Sequence, residues 1–268
     1  MSMASFVRTW FPVSTVVALE TLKRAAFPTV ASRRIEQALQ SLGFPDCVLS
    51  GPFQGMRYIR QAAGSAYLPK IVGSYESELH DVVRELLSMP IDCVIDIGTA
   101  EGYYAVGFAY KRPDLRVIGY DIDRRARFLL NRLAIANNVQ RKIEIKVAAS
   151  PETLEVDLSN TSRPLVICDC EGFEGDLLDA NLTPSLKKSI VLVEVHDFIR
   201  PNLTRDLLAK FEATHSIQRI STRSTPKIPA HIDLDKGFVE LLDEGRPAPQ
   251  VWLYMSPKSP ISDRLASE

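Results

Sequence analysis

The sequence predicts an α/β fold: a doubly wound, mostly parallel seven-stranded sheet behind an N-terminal extension of helices and strands. Three observations predict it. From residue 92 onward, short apolar runs rich in Val and Ile alternate with helical stretches, the pattern of parallel strands joined by crossover helices. The run Val94-Ile95-Asp96-Ile97 turns through Gly98 and Gly102 into the helical Tyr104–Ala109 stretch. Strand after strand ends on an acid or a histidine, at Asp96, Asp121, Asp169 and His196. In open α/β sheets those carboxyl ends are where ligands bind.

The elements follow in order. Thr15–Ala26 and Ser32–Leu42 read as helices separated by Pro28, with Ser32 placed to cap the second and Gly43 to end it. Residues 46–72 alternate like strands with turns, around Cys47–Ser50 and Gly55–Ile59. Tyr75–Leu87 is amphipathic, with Leu79, Val82, Val83, Leu86 and Leu87 on one face, and Pro90 stops it. Strands are expected at Asp92–Ile97, Arg116–Tyr120, Ile143–Val147, Pro164–Cys170, Ser189–Val195, Ser216–Ser221 and Gln250–Met255. Helices are expected from the glycine turn to Tyr110, and over Arg124–Ala136, Gly175–Asn181 and Leu203–Ala213. The proline-bearing stretch Thr222–Pro249 reads as an insertion between the last two strands. Residues 1–72 are thus an extension, 73–258 the cofactor-binding domain and 259–268 a tail.

Composition narrows the function. The formal net charge of the 268 residues is −1, which gives no basic field for nucleic acid. The first 72 residues hold eight Lys or Arg against three acids, and a solvated face accounts for them. Cys47, Cys93, Cys168 and Cys170 form no Cys-x-x-Cys pair, so they read as buried hydrophobes of a reducing, cytoplasmic compartment. No apolar run reaches the length of a membrane span. Oligomeric state is left open.

The glycine turn selects the cofactor. A dinucleotide fingerprint needs three glycines, but Ala100 and Tyr103 occupy the second and third places. A P-loop's Gly-Lys-Ser/Thr is absent. Asp96 stands two residues before Gly98 and would repel a pyrophosphate. It suits a ligand with an ammonium group whose carboxylate sits near the helix N-terminus. S-adenosylmethionine has both. Asp121 lies 21 residues further on from Ala100 and is placed to accept ribose hydroxyls, with Asp123 as the helix cap.

The remaining acids gather at the fourth and fifth strands. Asp169 and Glu171 share a side if the strand continues through them, and like charges so close require a compensating partner. Glu194 and His196 share a face of the next strand, and His196 is the candidate general base. No metal follows from spacing. A divalent ion, were one bound, would take Asp169, Glu171, Glu194 and His196 as oxygen and imidazole ligands.

These motifs resemble a known family. The Asp96-x-Gly98 turn with Asp121 resembles the cofactor motifs of class I S-adenosylmethionine-dependent methyltransferases. Asp169-Cys170-Glu171-Gly172-Phe173-Glu174 followed by Glu194-Val195-His196 is similar to the FkbM-type branch. The resemblance covers Gly73 to Pro201. It implies O-methylation of a hydroxyl on a sugar, glycan or small natural product. It further implies Asp96, Gly98 and Gly102 at the methionine end of the cofactor, Asp121 at the ribose, and Ala148, Ala149 and Ser150 near the adenine. Glu76 would close over the cofactor. His196 would take the acceptor's proton, with Asp169 or Glu171 orienting it or binding the acceptor. Ser150 departs from the acidic residue many methyltransferases carry there. The rivals are a non-catalytic S-adenosylmethionine-binding module and a protein methyltransferase. Intact acids at three strand ends count against the first. Nucleic-acid amino-methylation is disfavoured because the fourth strand lacks an Asn/Asp-Pro-Pro-Tyr type ending.

Overall fold

The computed structural model describes residues 30–63, 66–223, 227–246 and 248–258. The helix expected over Thr15–Ala26 and the tail after Lys258 lie outside them. The expected seven-stranded sheet is present, in the order β3-β2-β1-β4-β5-β7-β6. Its strands are β1 (Cys93–Ile97), β2 (Arg116–Tyr120), β3 (Ile143–Lys146), β4 (Pro164–Cys168), β5 (Ile190–Val195), β6 (His215–Ser221) and β7 (Val251–Pro257). β1 to β5 pair in parallel, and β7 runs antiparallel to both β5 and β6. The strand order reverses direction between β1 and β4, and such a switch opens a crevice at the carboxyl ends.

Alternate strand residues serve two cores, as the period of two requires. Val94, Val117, Leu165 and Leu192 face one, and Ile95, Ile118, Val166 and Val191 face the other. The helices are α1 (Val30–Ser41), α2 (Tyr67–Val72), α3 (His80–Ser88), α4 (Tyr103–Lys111), α5 (Arg124–Ala136), α6 (Pro151–Ser159), α7 (Glu174–Leu177) and α8 (Leu203–Phe211). Leu86 of α3, Val106 of α4 and Leu133 of α5 fill the first core, and Leu158 of α6 and Leu207 of α8 fill the second. Residues of the 38–72 region, among them Val48, Phe53, Leu68 and Ile71, are buried in the first core as well.

Several local expectations are corrected. Ser32, expected at the N-cap position, lies inside α1, because the helix already runs from Val30. The described residues of the 46–72 stretch form no strand. It contributes one isolated bridge, Cys47 to Arg57, and its end is helix α2. Its apolar residues are buried against other elements, so their alternation reflects side-chain packing and not a ladder. Glu76 precedes its helix: the backbone is left-handed there, at φ 46°, and a 3₁₀ turn over Ser77–Leu79 leads into α3. Helix α6 was not foreseen. Ser150 caps it through a reciprocal bond with Thr153, behind Pro151. β4 ends at Cys168, so Asp169 and Glu171 do not share a strand face.

Candidate functional site

The glycine turn is built by two collisions avoided. Gly98 ends β1 with φ +82°, and a Cβ there would lie 1.7 Å from the carbonyl oxygen of Asp169. The exits of β1 and β4 run against each other at this point. Gly102 has φ +96°, and a Cβ would meet Leu130 of α5 at 2.3 Å. The turn is held to β2 by its amides: Gly98 N and Thr99 N donate to the Tyr120 carbonyl at 2.8 and 3.2 Å.

Asp121 buttresses the same turn. Its Oδ2 accepts from Ala100 N at 2.8 Å, which holds Ala100 in a left-handed conformation at φ 50°. Its Oδ1 accepts from Asp123 N at 2.7 Å. Asp123 caps α5 by accepting from Arg125 N, as the sequence suggested. Asp96 is 3% exposed, and its Oδ2 accepts from Ala105 N in the first turn of α4 at 3.0 Å. Burial pushes the Asp96 carboxyl up to about 8. The Ala105 bond opposes this, and the nearby Asp169, Asp121 and Glu76 charges add to it.

These groups line one cavity of about 480 Å³ at the carboxyl ends of β1, β2 and β4. Glu76, Gly98, Asp121 and Ala149 form part of its wall, as do Asp169 and Glu171. Gly102 shapes the turn without lining the cavity, and Ser150 is spent on its cap. The size is that of a pocket for a nucleoside-sized ligand.

At the other end of the cavity the acids converge on one imidazole. His196 is 1% exposed and stands behind the wall. Its Nδ1 lies 2.8 Å from Glu174 Oε1. That same oxygen accepts from Cys170 N and Gly172 N, both at 3.2 Å, so the β4–α7 loop orients the pair. The imidazole Nε2 lies 3.5 Å from Asp169, 3.6 Å from Glu171 and 3.8 Å from Glu194. Burial disfavours the imidazolium, but the Glu174 bond and the Asp169 charge outweigh it and raise the His196 pKa. Burial, then the Glu76 charge, lifts Asp169 to about 7. Burial and the Asp169 charge lift Glu194 to about 9, against the pull of Arg246.

Two networks were missed by sequence reasoning. Buried Glu101 of the turn accepts from Tyr58 Oη and Lys70 Nζ, each at 2.6 Å, and from Ala63 N at 2.9 Å. Arg246, from the stretch read as an insertion, bonds to Glu194 and reaches Glu244 at 3.0 Å and Glu76 at 3.4 Å. Glu76 also accepts from Tyr104 Oη. Apart from Glu244, a near neighbour of Arg246, the paired charges lie 31 and 52 or more residues apart, so no local pattern signals them. The one available hint was that a lone Lys70 and a lone Arg246 sit among apolar or proline-rich neighbours.

No family model matches the chain, and no curated protein matches it. Among solved structures it is similar to the O-methyltransferase TomG of Streptomyces achromogenes, involved in tomaymycin synthesis and solved in complex with S-adenosylmethionine. The identity is 13% over 89% of this chain and 96% of that one, with a TM-score of 0.45. It is similar to a precorrin-6y C5,15-methyltransferase of Geobacter metallireducens at 12% identity, over 65% of this chain and 85% of that one, TM-score 0.44. A third is an S-adenosylmethionine-dependent O-methyltransferase of Thermotoga maritima, at 12% identity over 67% and 65% of the two chains, TM-score 0.45. These likenesses concern the path of the chain, and the reading of function rests on the cavity.

Proposed function

We propose that this chain is an S-adenosylmethionine-dependent O-methyltransferase whose acceptor is a hydroxyl of a sugar, glycan or small natural product. The observation that carries the reading is the convergence of three strand ends on one cavity, with Asp96 and Asp121 at one end and the Asp169–Glu171–His196 group at the other. The donor set fits the cofactor. Thr99 Oγ1 and Tyr103 Oη belong to cavity-lining residues, and both are buried without a hydrogen-bond partner among the described residues. Asp96 offers a carboxylate for an ammonium, and Asp121 one for ribose hydroxyls.

When bound, S-adenosylmethionine supplies a methyl already activated by its sulfonium. The chain's own tasks are alignment and proton removal. Asp169 and Glu171, on the cavity wall, meet the acceptor hydroxyls. His196 stands behind them, with its ring fixed by Glu174. His196→Ala is therefore expected to lower turnover by about 100-fold or more while leaving cofactor affinity nearly unchanged. The measurement is methyl transfer from labelled donor to a panel of hydroxylated acceptors, beside a binding titration. Equal losses in both would remove the role.

The direct test of the reading is a calorimetric titration with S-adenosylhomocysteine. Its pH dependence follows from Asp96. The folded carboxyl titrates near 8 and the ligand's ammonium favours its ionised form, so binding at pH 7 releases a proton from Asp96. Affinity is expected to rise by about tenfold or more between pH 6 and 8 and then flatten. Binding heats at pH 7 should vary with buffer ionisation enthalpy. A flat profile would take Asp96 out of the ammonium site, and no binding at any pH would overturn the reading.

A further inference from the structure

The geometry points to a divalent transition-metal site formed by Asp169, Glu171 and His196 at the acceptor end of the cavity. It deepens the proposed function but does not need the methyl donor to be tested. One ligand atom from each of the three residues lies within 4.8 Å of the others. Proximity of acids alone would not carry the inference. The buried imidazole does.

His196 Nδ1 faces Glu174, an ionised carboxylate that only accepts, so Nδ1 carries the hydrogen. In its neutral form, the one a metal takes, the ring then presents a lone pair at Nε2. That nitrogen makes no hydrogen bond among the described residues, although the side chain is 1% exposed. It faces carboxylate oxygens at 3.5 and 3.6 Å, too long for hydrogen bonds. A lone pair and two carboxylates pointed at one small space repel one another unless a proton or a cation lies between them, and a divalent ion would displace that proton. Atoms bound about 2.1 Å from a common ion stand about 3.0 Å apart in an octahedron and about 3.4 Å in a tetrahedron. The two imidazole–carboxylate spacings lie just above that, and the three ligand atoms lie within 4.8 Å of one another, so side-chain rotations would bring them onto one ion.

The shell behind them is already built. A histidine ligand ordinarily donates its other ring hydrogen to a carboxylate that fixes tautomer and orientation. Glu174, 0% exposed and pinned by the Cys170 and Gly172 amides, does this here. Glu194 stands 3.8 Å from Nε2 but is held by Arg246, which keeps it outside the first set of ligands. One imidazole and two carboxylates suit Mn²⁺ or Zn²⁺ better than Ca²⁺, which takes oxygen ligands only. Asp169 and Glu171 line the cavity, so the remaining coordination positions open toward the acceptor. A hydroxyl bound there would lose its proton more readily. His196 would then serve as a ligand and not as the direct proton acceptor.

The test is a Mn²⁺ titration of the chelator-stripped full chain, read by calorimetry and by the loss of the free-ion paramagnetic resonance signal. One Mn²⁺ per chain is expected, displaced by Zn²⁺. Glu171 is mostly exposed, so Glu171→Gln keeps the fold and is expected to weaken binding at least tenfold. Asp169→Asn should abolish it, and Glu174→Gln should cost about 10- to 100-fold by releasing the ring. Absence of binding at millimolar Mn²⁺, or equal affinity in wild type and Glu171→Gln, overturns the site. S-adenosylhomocysteine is titrated into the same preparation without metal. Its binding in the absence of Mn²⁺ binding sinks only the metal site, and the converse sinks only the methyl donor.

Discussion

Gly98→Ala is expected to lower stability by about 3–5 kcal/mol, among the largest losses a single methyl group can cause. Two effects combine. The backbone stands at φ +82°, where an L side chain costs about 1–2 kcal/mol. The added Cβ would also lie 1.7 Å from a backbone carbonyl oxygen, that of Asp169, which no rotamer change relieves. The exits of β1 and β4 must separate, and Asp169 moves with them. Gly43→Ala supplies the control. Its φ is +75° but nothing among the described residues lies within 4 Å of the new Cβ, so only the backbone cost, about 1 kcal/mol, should appear. Urea denaturation of both variants checks the difference. Similar midpoints for the two would show that the close approach to Asp169 is relieved at little cost.

Lys70→Met is expected to cost about 3–5 kcal/mol, because it strands the buried charge of Glu101. In the native chain Lys70 and Glu101 meet at 2.6 Å with side chains 2% and 0% exposed. Burial alone would raise the Glu101 pKa, but Lys70, Tyr58 and the Ala63 amide outweigh it and hold it below its ordinary value of 4.5. A depressed folded pKa gives stability that is present above the unfolded pKa and is lost as pH falls through the folded one. In the variant the sign reverses. With Lys70 gone, burial raises the carboxyl, and stability is greatest in mild acid and falls as pH rises. Thermal melts between pH 4 and 8 read this directly. Parallel profiles for variant and native chain would rule out Lys70 as the group that keeps Glu101 ionised.

The second effect also ties function to the N-terminal region. Tyr58, Ala63 and Lys70 all reach Glu101, which sits inside the glycine turn. Lys70 also lies over the rings of Tyr75 and Tyr103, at 4.6 and 5.6 Å from their centroids. The turn that would hold the methyl donor is therefore braced from outside the strand–helix alternation.

The sequence by itself determined the sheet and the positions of the strand-end acids. Strand and helix periods are local, and each apolar run from Val94 to Met255 carried its own signal. Asp123 as a cap and Asp96, Asp121 and Asp169 at strand ends were legible for the same reason. Local pattern could not decide residues 46–72, where apolar alternation served burial against helices and not a ladder. It missed α6, whose capping box and Pro151 were present but whose apolar residues are few. Only the tertiary structure decided which charges meet. The Lys70–Glu101 pair, the Arg246 group and the Glu174–His196 pair each join segments 22 or more residues apart. Electrostatic pairing depends on distance in space, and no period along the chain encodes it. The exit of β4 shows this most clearly. Sequence placed Asp169 and Glu171 on one strand face, whereas the chain leaves the strand at Cys168, passes through a left-handed Glu171, and so turns both carboxylates toward His196.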